Sequence, residues 1–213
     1  MQADILNIIH RFNFKKKRKF TQRQVGYVIL LNDEVHNFMR RLQVDILNQY
    51  GTVSAIAECQ HITLKQAFAV DALEPFERYF DRLVNEIKPF ELVIKGIGSF
   101  DEGIIFLDVE QDIRLKSLRL KILRDLSEQF GIKPHPLEDE RYYFHATLVH
   151  KMSKGDFAKT LQHLKDIEVS FRFLFDTLGL FYFTGEEWIT YKRLKVGKSS
   201  SVRSLLTKRS GKN

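Results

Sequence analysis

The sequence predicts an α+β fold built from two copies of one unit, related by a pseudo-twofold axis, with a groove between them. Two observations predict it. The pattern His-x-Thr-Leu occurs at His61 and again at His145, 84 residues later, and the pattern Gly-x-Phe occurs at Gly98 and again at Gly179, 81 residues later. Two landmarks that agree on a spacing of about 82 residues indicate one duplication, because a solenoid would repeat at a shorter period and more than twice.

The first copy opens with an unbroken apolar run at 26–31, which predicts a buried strand. Apolar residues at helical spacing over 35–47 predict the first helix, and the first His-x-Thr-Leu pattern follows as a strand. A second amphipathic helix over 73–87 ends at a Lys-Pro pair, since proline disfavours helical geometry in the residue before it. A strand over 90–97 then reaches the first Gly-x-Phe pattern, which we interpret as a turn.

The second copy repeats this order, and Gly131 is expected to cap its first helix in the left-handed conformation. The predicted elements are a strand over 104–109, a helix over 115–130, a strand over 142–149, a helix over 156–164, and strands over 169–175 and 187–195. The second Gly-x-Phe pattern is again interpreted as a turn. We therefore expect two lobes, about 23–101 and 102–196, each a small antiparallel sheet with two outer helices.

Basic residues dominate both ends of the chain, outside the duplicated unit. Residues 1–22 contain the run Lys15–Lys19, and residues 197–213 form a basic, Ser-rich tail that is predicted to be disordered. Three interpretations stay open for these ends: solvated extensions, accessory contacts to RNA, or a nuclear-import signal.

Composition limits the classes of function. The 213 residues carry a formal net charge of +7, which attracts polyanions. The lone Cys59 cannot form an internal disulfide or a cysteine metal cluster. No apolar run reaches the roughly 18 residues that cross a bilayer, and the first residues lack the pattern of a signal peptide. We expect a soluble, cytoplasmic monomer with no membrane partner.

The two His-x-Thr-Leu patterns carry the candidate chemistry. Because a strand places alternate residues on one face, each histidine shares a face with its threonine while the intervening residues enter the core. A groove between the copies would then hold His61, Thr63, His145 and Thr147. Two imidazoles with an ordinary pKa near 6.5 can act as acid and base around neutral pH. Neither pattern offers the ligand spacing of a metal site, so we predict no metal.

Two His-x-Thr patterns on equivalent strands of a duplicated lobe resemble the 2H phosphoesterase superfamily, in particular its 2′-5′ RNA ligase and cyclic phosphodiesterase branch. The resemblance covers about 25–195. It implies a hydrolase that opens 2′,3′-cyclic phosphate ends of RNA or nucleotides without metal or cofactor, with reversible 2′-5′ ligation as a further activity. It also implies that His61 protonates the leaving oxygen, that His145 activates water, and that Thr63 and Thr147 bind the phosphate.

Three further residues are candidates for binding the substrate. Lys65 continues the face of the first histidine and could add positive charge, and Trp188 or Tyr191 could stack on a nucleobase. Two other functions fit the same patterns: an RNA-binding module without turnover, and a phosphodiesterase acting on 2′-5′ linkages or RNA 3′ ends. Measurable turnover would distinguish an enzyme from the RNA-binding module. The second alternative shares the motifs and differs from the cyclic phosphodiesterase only in the loops that hold the substrate.

Overall fold

A computed structural model of the chain describes residues 23–51, 54–100, 103–139 and 141–197. The run Lys15–Lys19 and the tail after 197 lie outside the described residues, so what was predicted for both ends stays a prediction. The described helices and strands follow one another as β1 Arg23–Leu30, α1 Asp33–Tyr50, β2 His61–Val70, α2 Glu74–Glu86, β3 Phe90–Phe100, β4 Ile104–Val109, α3 Ile113–Phe130, β5 His145–Val149, α4 Lys154–Leu164, β6 Ser170–Phe175, β7 Thr177–Phe183 and β8 Trp188–Lys195. None of these helices is long and apolar enough to cross a membrane.

The strands form two antiparallel sheets of four strands each, which confirms the predicted α+β class. Sheet A has the order β2-β1-β7-β8, and sheet B has the order β5-β4-β3-β6. The two strands that carry the His-x-Thr-Leu patterns, β2 and β5, are each an edge strand. They contact one another, so the two sheets meet where the patterns lie.

Each sheet draws on both copies of the repeat, since sheet B includes β3 of the first copy and sheet A includes β7 and β8 of the second. The strand β3, from the first copy, pairs with β4 and β6 in sheet B, and β7, from the second copy, pairs with β1 and β8 in sheet A. The helices are exchanged in the same way, since α1 contacts β5 and α3 contacts β2. The division expected near 101 therefore separates the copies along the sequence, but each sheet draws on both.

The Gly-x-Phe patterns lie within strands β3 and β7, so their interpretation as turns was wrong. Gly98 pairs with Phe106 on β4, and Gly179 pairs with Val28 on β1. A Cβ on Gly98 would lie 2.5 Å from the Phe106 ring, and one on Gly179 would lie 2.8 Å from a methyl group of Val28. These glycines therefore make room for a side chain on the neighbouring strand, a close approach that a larger residue would block.

Local signals in the sequence fix the ends of the two longest helices. At the start of α1 the Asn32 side chain accepts a hydrogen bond from the Val35 amide, and Gly51 ends the helix in the left-handed conformation. Gly131, with φ of 68°, caps α3 as predicted. One continuous apolar core joins the buried faces of the helices and of both sheets.

Candidate active site

Both His-x-Thr-Leu patterns lie at the start of an edge strand. His61 is the first residue of β2, His145 is the first residue of β5, and both imidazoles are partly buried. The alternate residues are fully buried in the core: Ile62, Leu64, Ala146 and Leu148. Each histidine therefore shares the opposite face of its strand with Thr63 or Thr147, as the alternation predicted.

One nitrogen of each imidazole is bound to the backbone two residues earlier. The Nδ1 atom of His61 lies 2.8 Å from the Cys59 carbonyl oxygen, and that of His145 lies 2.8 Å from the Tyr143 carbonyl oxygen. A carbonyl oxygen can only accept, so both Nδ1 atoms carry the proton and donate. In the neutral tautomer this leaves the Nε2 lone pair of each ring to take up a proton.

Each histidine also packs against a phenylalanine contributed by the other copy. The Phe181 ring, on β7, lies 4.7 Å from the His61 ring in an edge-to-face arrangement. The Phe100 ring, on β3, lies 5.1 Å from the His145 ring at nearly a right angle. Both are the phenylalanines of the Gly-x-Phe patterns, so the exchanged strands hold the two imidazoles in equivalent orientations.

The protein environment disfavours the charged form of both imidazoles. Burial lowers the pKa of His61 to about 4, opposed by the Cys59 carbonyl and reinforced by the charge of His145. Burial likewise lowers the pKa of His145, opposed by the Tyr143 carbonyl. The two histidines begin strands that contact one another. An anion bound between them would favour protonation of both.

Side chains from the opposite copy satisfy the outer edges of the two motif strands. The Tyr142 hydroxyl, just before β5, donates to the Thr63 carbonyl over 2.9 Å. The Gln43 amide, on α1, donates to the Leu148 carbonyl over 2.9 Å. Edge strands carry unpaired backbone groups, and these two bonds satisfy a carbonyl on each: the first joins the segment before β5 to β2, and the second joins α1 to β5.

The family model for the 2′-5′ RNA ligase superfamily matches residues 31–187. The chain belongs to the 2′-5′ RNA ligase superfamily. This confirms the predicted relationship to the 2H phosphoesterases. No curated protein sequence matches this superfamily member significantly.

Solved structures of this superfamily share the fold at low sequence identity. TT0787 of Thermus thermophilus has a TM-score of 0.58 and 13% identity, over 82% of this chain and 98% of that one. E. coli LigT complexed with 3′-AMP has a TM-score of 0.56 and 16% identity, over 84% of this chain and all of that one. The likeness establishes the fold of this superfamily member; its chemistry must come from its own residues.

Lys65 lines the same cavity as His61 and Thr63, although the strand is irregular between Thr63 and Lys65. The register of β2 against β1 shifts between Thr63 and Lys65, so a bulge interrupts the alternation. Lys65 borders the cavity beside His61, but its side chain is 1% exposed and its ammonium lies 2.7 Å from the fully buried Glu138 carboxylate. The ammonium thus forms an internal ion pair, and a contact of Lys65 with substrate stays a prediction.

The two aromatic candidates occupy different places. Trp188 lines the cavity that also contains His61 and Thr63. Tyr191 is not among the residues lining it: its hydroxyl lies 3.4 Å from the Glu77 carboxylate on α2, and its ring lies near that of Tyr182. Only Trp188 is therefore placed to meet a ligand bound beside the first histidine.

Two features of the site were missed from the sequence. Phe181 and Phe100 support the histidines, and their repeated Gly-x-Phe context was the signal that could have identified them. Glu58 also lines the cavity beside His61, and nothing in its local sequence distinguishes it from a surface glutamate. Among the described residues, no group of three or more His, Cys, Asp or Glu side chains is arranged to hold a metal ion.

Proposed function

We propose that the protein is a metal-independent phosphoesterase that opens 2′,3′-cyclic phosphate ends of RNA or nucleotides by paired histidine catalysis. One observation carries the proposal: His61 and His145 are held in the same way, each with Nδ1 donating to a carbonyl and each beside a threonine, on adjacent edges of two sheets. Such an arrangement suits proton transfer on two sides of one phosphorus atom.

The reaction needs one proton taken up and one delivered. In the direction that the family resemblance implies, Nε2 of His145 removes a proton from water as its oxygen bonds to phosphorus. The bond from phosphorus to one ribose oxygen breaks, and that oxygen receives a proton from Nε2 of His61. Thr63 and Thr147 donate hydrogen bonds to the nonbridging oxygens, where negative charge increases. In the ligating direction the two histidines exchange roles.

The test is turnover of nucleoside 2′,3′-cyclic monophosphates in the presence of EDTA. We expect release of a phosphomonoester, and a loss of about 10²–10⁴-fold in kcat for His61→Ala and for His145→Ala. His36→Ala, on the surface of α1, serves as a matched control and should retain activity. Near-full turnover by either active-site variant would exclude paired acid–base catalysis.

A wider substrate panel separates this proposal from its alternatives. LigT has been crystallised with 3′-AMP, a nucleotide monophosphate, which supports testing nucleotide-sized substrates first. The panel adds 2′-5′ linked dinucleotides and oligomers with cyclic ends or free 3′ ends. Turnover of the linked dinucleotides alone would indicate a 2′-5′ phosphodiesterase. Absence of all turnover, with salt-dependent RNA binding that survives both histidine substitutions, would indicate a binding module.

A further inference from the structure

The surroundings of His61 and His145 are equivalent in strand pairing, but the side chain opposite the motif threonine differs in size between them. Val28 on β1 pairs with Thr63 and with Gly179, and Phe106 on β4 pairs with Thr147 and with Gly98. These two positions therefore correspond. In sheet B the Phe106 ring covers Gly98 and lies 5.1 Å from the His145 ring.

In sheet A the smaller valine leaves a cavity of about 200 Å³ beside the first histidine. Gly26 and Val28 line it together with His61 and Thr63, and the aromatic rings of Phe181 and Trp188 border it. Pockets for drug-sized ligands measure roughly 300–1,000 Å³, so this one has room for a single ring system. Aromatic borders of this kind stack on the flat face of a nucleobase.

One acidic residue in the cavity is held in place by its backbone. The Glu58 carbonyl accepts hydrogen bonds from the Arg40 guanidinium over 3.0 Å and from the Gln60 side-chain amide over 3.2 Å. Its own backbone amide donates to the Ala55 carbonyl. Burial raises the pKa of the Glu58 carboxyl, and the charge of Lys151 opposes that rise. The backbone of Glu58 is thus fixed on a cavity wall that also includes Lys65 and Gln66, and its carboxylate, when ionised, can only accept hydrogen bonds.

We propose that this cavity is a nucleobase subsite on the His61 side of the groove, and that Glu58 gives it a preference for guanine. A carboxylate only accepts hydrogen bonds, and guanine is the base whose pairing edge offers two adjacent donors, N1–H and N2–H₂. The inference rests on the proposed function. It also places the ribose nearer His61 than His145, so that His61 faces the leaving ribose oxygen and His145 faces the attacking water.

Filling the cavity tests the subsite. Val28→Phe should raise KM for guanosine 2′,3′-cyclic phosphate at least tenfold, and should leave the base-free methyl riboside 2′,3′-cyclic phosphate within twofold. Phe106→Val, in the other half, should change both substrates by the same factor. Val44→Phe, on the exposed surface of α1, is the matched control for added volume. If Val28→Phe weakens both substrates equally, the subsite is excluded.

Trp188→Ala covers the case in which Val28→Phe does not fold, as checked by its melting temperature. This variant removes a border of the cavity and should also lose about tenfold for the guanosine substrate alone. Glu58→Gln should reduce the ratio of kcat/KM for guanosine over adenosine substrates at least fivefold. A ratio that stays unchanged would exclude the role of Glu58.

A binding measurement distinguishes failure of this inference from failure of the proposed function. Calorimetric titration of 2′-GMP and of base-free ribose 2-phosphate into the unsubstituted protein and into Val28→Phe requires no turnover. Selective loss of 2′-GMP binding supports the subsite even if cyclic phosphates are not hydrolysed. Equal binding of 2′-GMP to both proteins overturns it even if they are.

Discussion

At the scale of the residue, each imidazole has one nitrogen bound to the backbone and the other left free of it. The carbonyls of Cys59 and Tyr143 hold Nδ1–H, and this selects the tautomer in which Nε2 is basic. Burial lowers the pKa of both rings and so disfavours their charged form. If the substrate is a phosphate ester, as we propose, its negative charge would favour protonation of the imidazoles beside it.

The pH dependence of turnover should show this directly. Because the pKa of His61 is lowered to about 4 and that of His145 is also lowered, the catalytic acid loses its proton at a lower pH than a free imidazole would. We expect the bell-shaped profile of kcat/KM, which reports the free protein, to have its optimum below pH 6.5. The profile of kcat should lie at higher pH, since the bound anion favours protonation. Steady-state rates between pH 4 and pH 8 check both, and an optimum of kcat/KM above pH 7 would contradict the expectation.

The placement of each histidine on the same strand face as its threonine could be predicted because a strand's alternation is local. His61 and Thr63 share a face whatever the rest of the fold does, and so do His145 and Thr147. The irregularity at Lys65 could not be predicted, because a bulge depends on how the partner strand meets it. Glu58 could not be identified either, since its position depends on bonds from α1, which is distant in the sequence.

At the scale of the element, the glycines of β3 and β7 matter for what lies across them. Gly98→Ala should destabilise the protein by about 1–3 kcal/mol, because the new methyl group would collide with the Phe106 ring. It should also lower kcat, since that ring packs against His145. Chemical denaturation and steady-state rates measure the two effects.

Two companion variants identify the cause of the Gly98→Ala effect. In a Phe106→Val background the added Gly98→Ala should cost little, because the ring it would collide with is gone, although Phe106→Val itself destabilises by removing a buried ring. Gly155→Ala is the matched control, because a Cβ at this position on α4 would meet nothing within 4 Å. We expect it to be neutral or to stabilise by about 0.5–1 kcal/mol. A Gly98→Ala protein as stable as the parent would show that Phe106 moves freely.

The segment between α3 and β5 is anchored to β2 through one buried carboxylate. Glu138 binds the Lys65 ammonium, and it also accepts from the backbone amides of Gln66 and His135. Lys65→Met should cost about 3–5 kcal/mol in the free energy of unfolding, because the carboxylate is left buried without its counter-charge. Urea denaturation measures this.

Two further variants separate charge from packing in this anchor. Lys65→Met combined with Glu138→Leu removes both charges and should recover part of the loss, limited by the two amides that then lack an acceptor. Arg141→Ala breaks the exposed Arg141–Asp139 pair in the same segment and should have no measurable effect. If Lys65→Met also left the free energy of unfolding unchanged, the buried Lys65–Glu138 pair would not be what anchors this segment.

At the scale of the whole molecule, the exchange of β3 and β7 makes the two sheets depend on each other. If sheet A unfolded, β1 and β2 of the first copy would lose their pairing with the second copy's strands, and if sheet B unfolded, β3 of the first copy would lose its partners β4 and β6. We therefore expect one cooperative unfolding transition. The sole tryptophan, Trp188, lies on β8 and reports sheet A by fluorescence, while far-UV circular dichroism reports both sheets. Coincident midpoints are expected, and an earlier fluorescence transition would show that sheet A unfolds on its own.

The exchange is also what the sequence could not reveal. A period near 82 residues shows which segments correspond, and the apolar pattern shows which of their faces are buried. The period and the apolar pattern are equally consistent with β3 pairing within its own copy and with β3 pairing with β4 and β6 of the other copy. The choice depends on how loops and core side chains meet in three dimensions, so the class of fold was predictable while the partition of strands was not.

The packing of each histidine against a phenylalanine of the other copy has a consequence for divergence. A substitution of Phe181 in the second copy changes the packing of His61, and a substitution of Phe100 in the first copy changes the packing of His145. After such a duplication, neither copy can diverge to a new function while the other copy alone keeps the original one. A single half, if it ever existed alone, would have completed this arrangement by intertwining with a second molecule of itself.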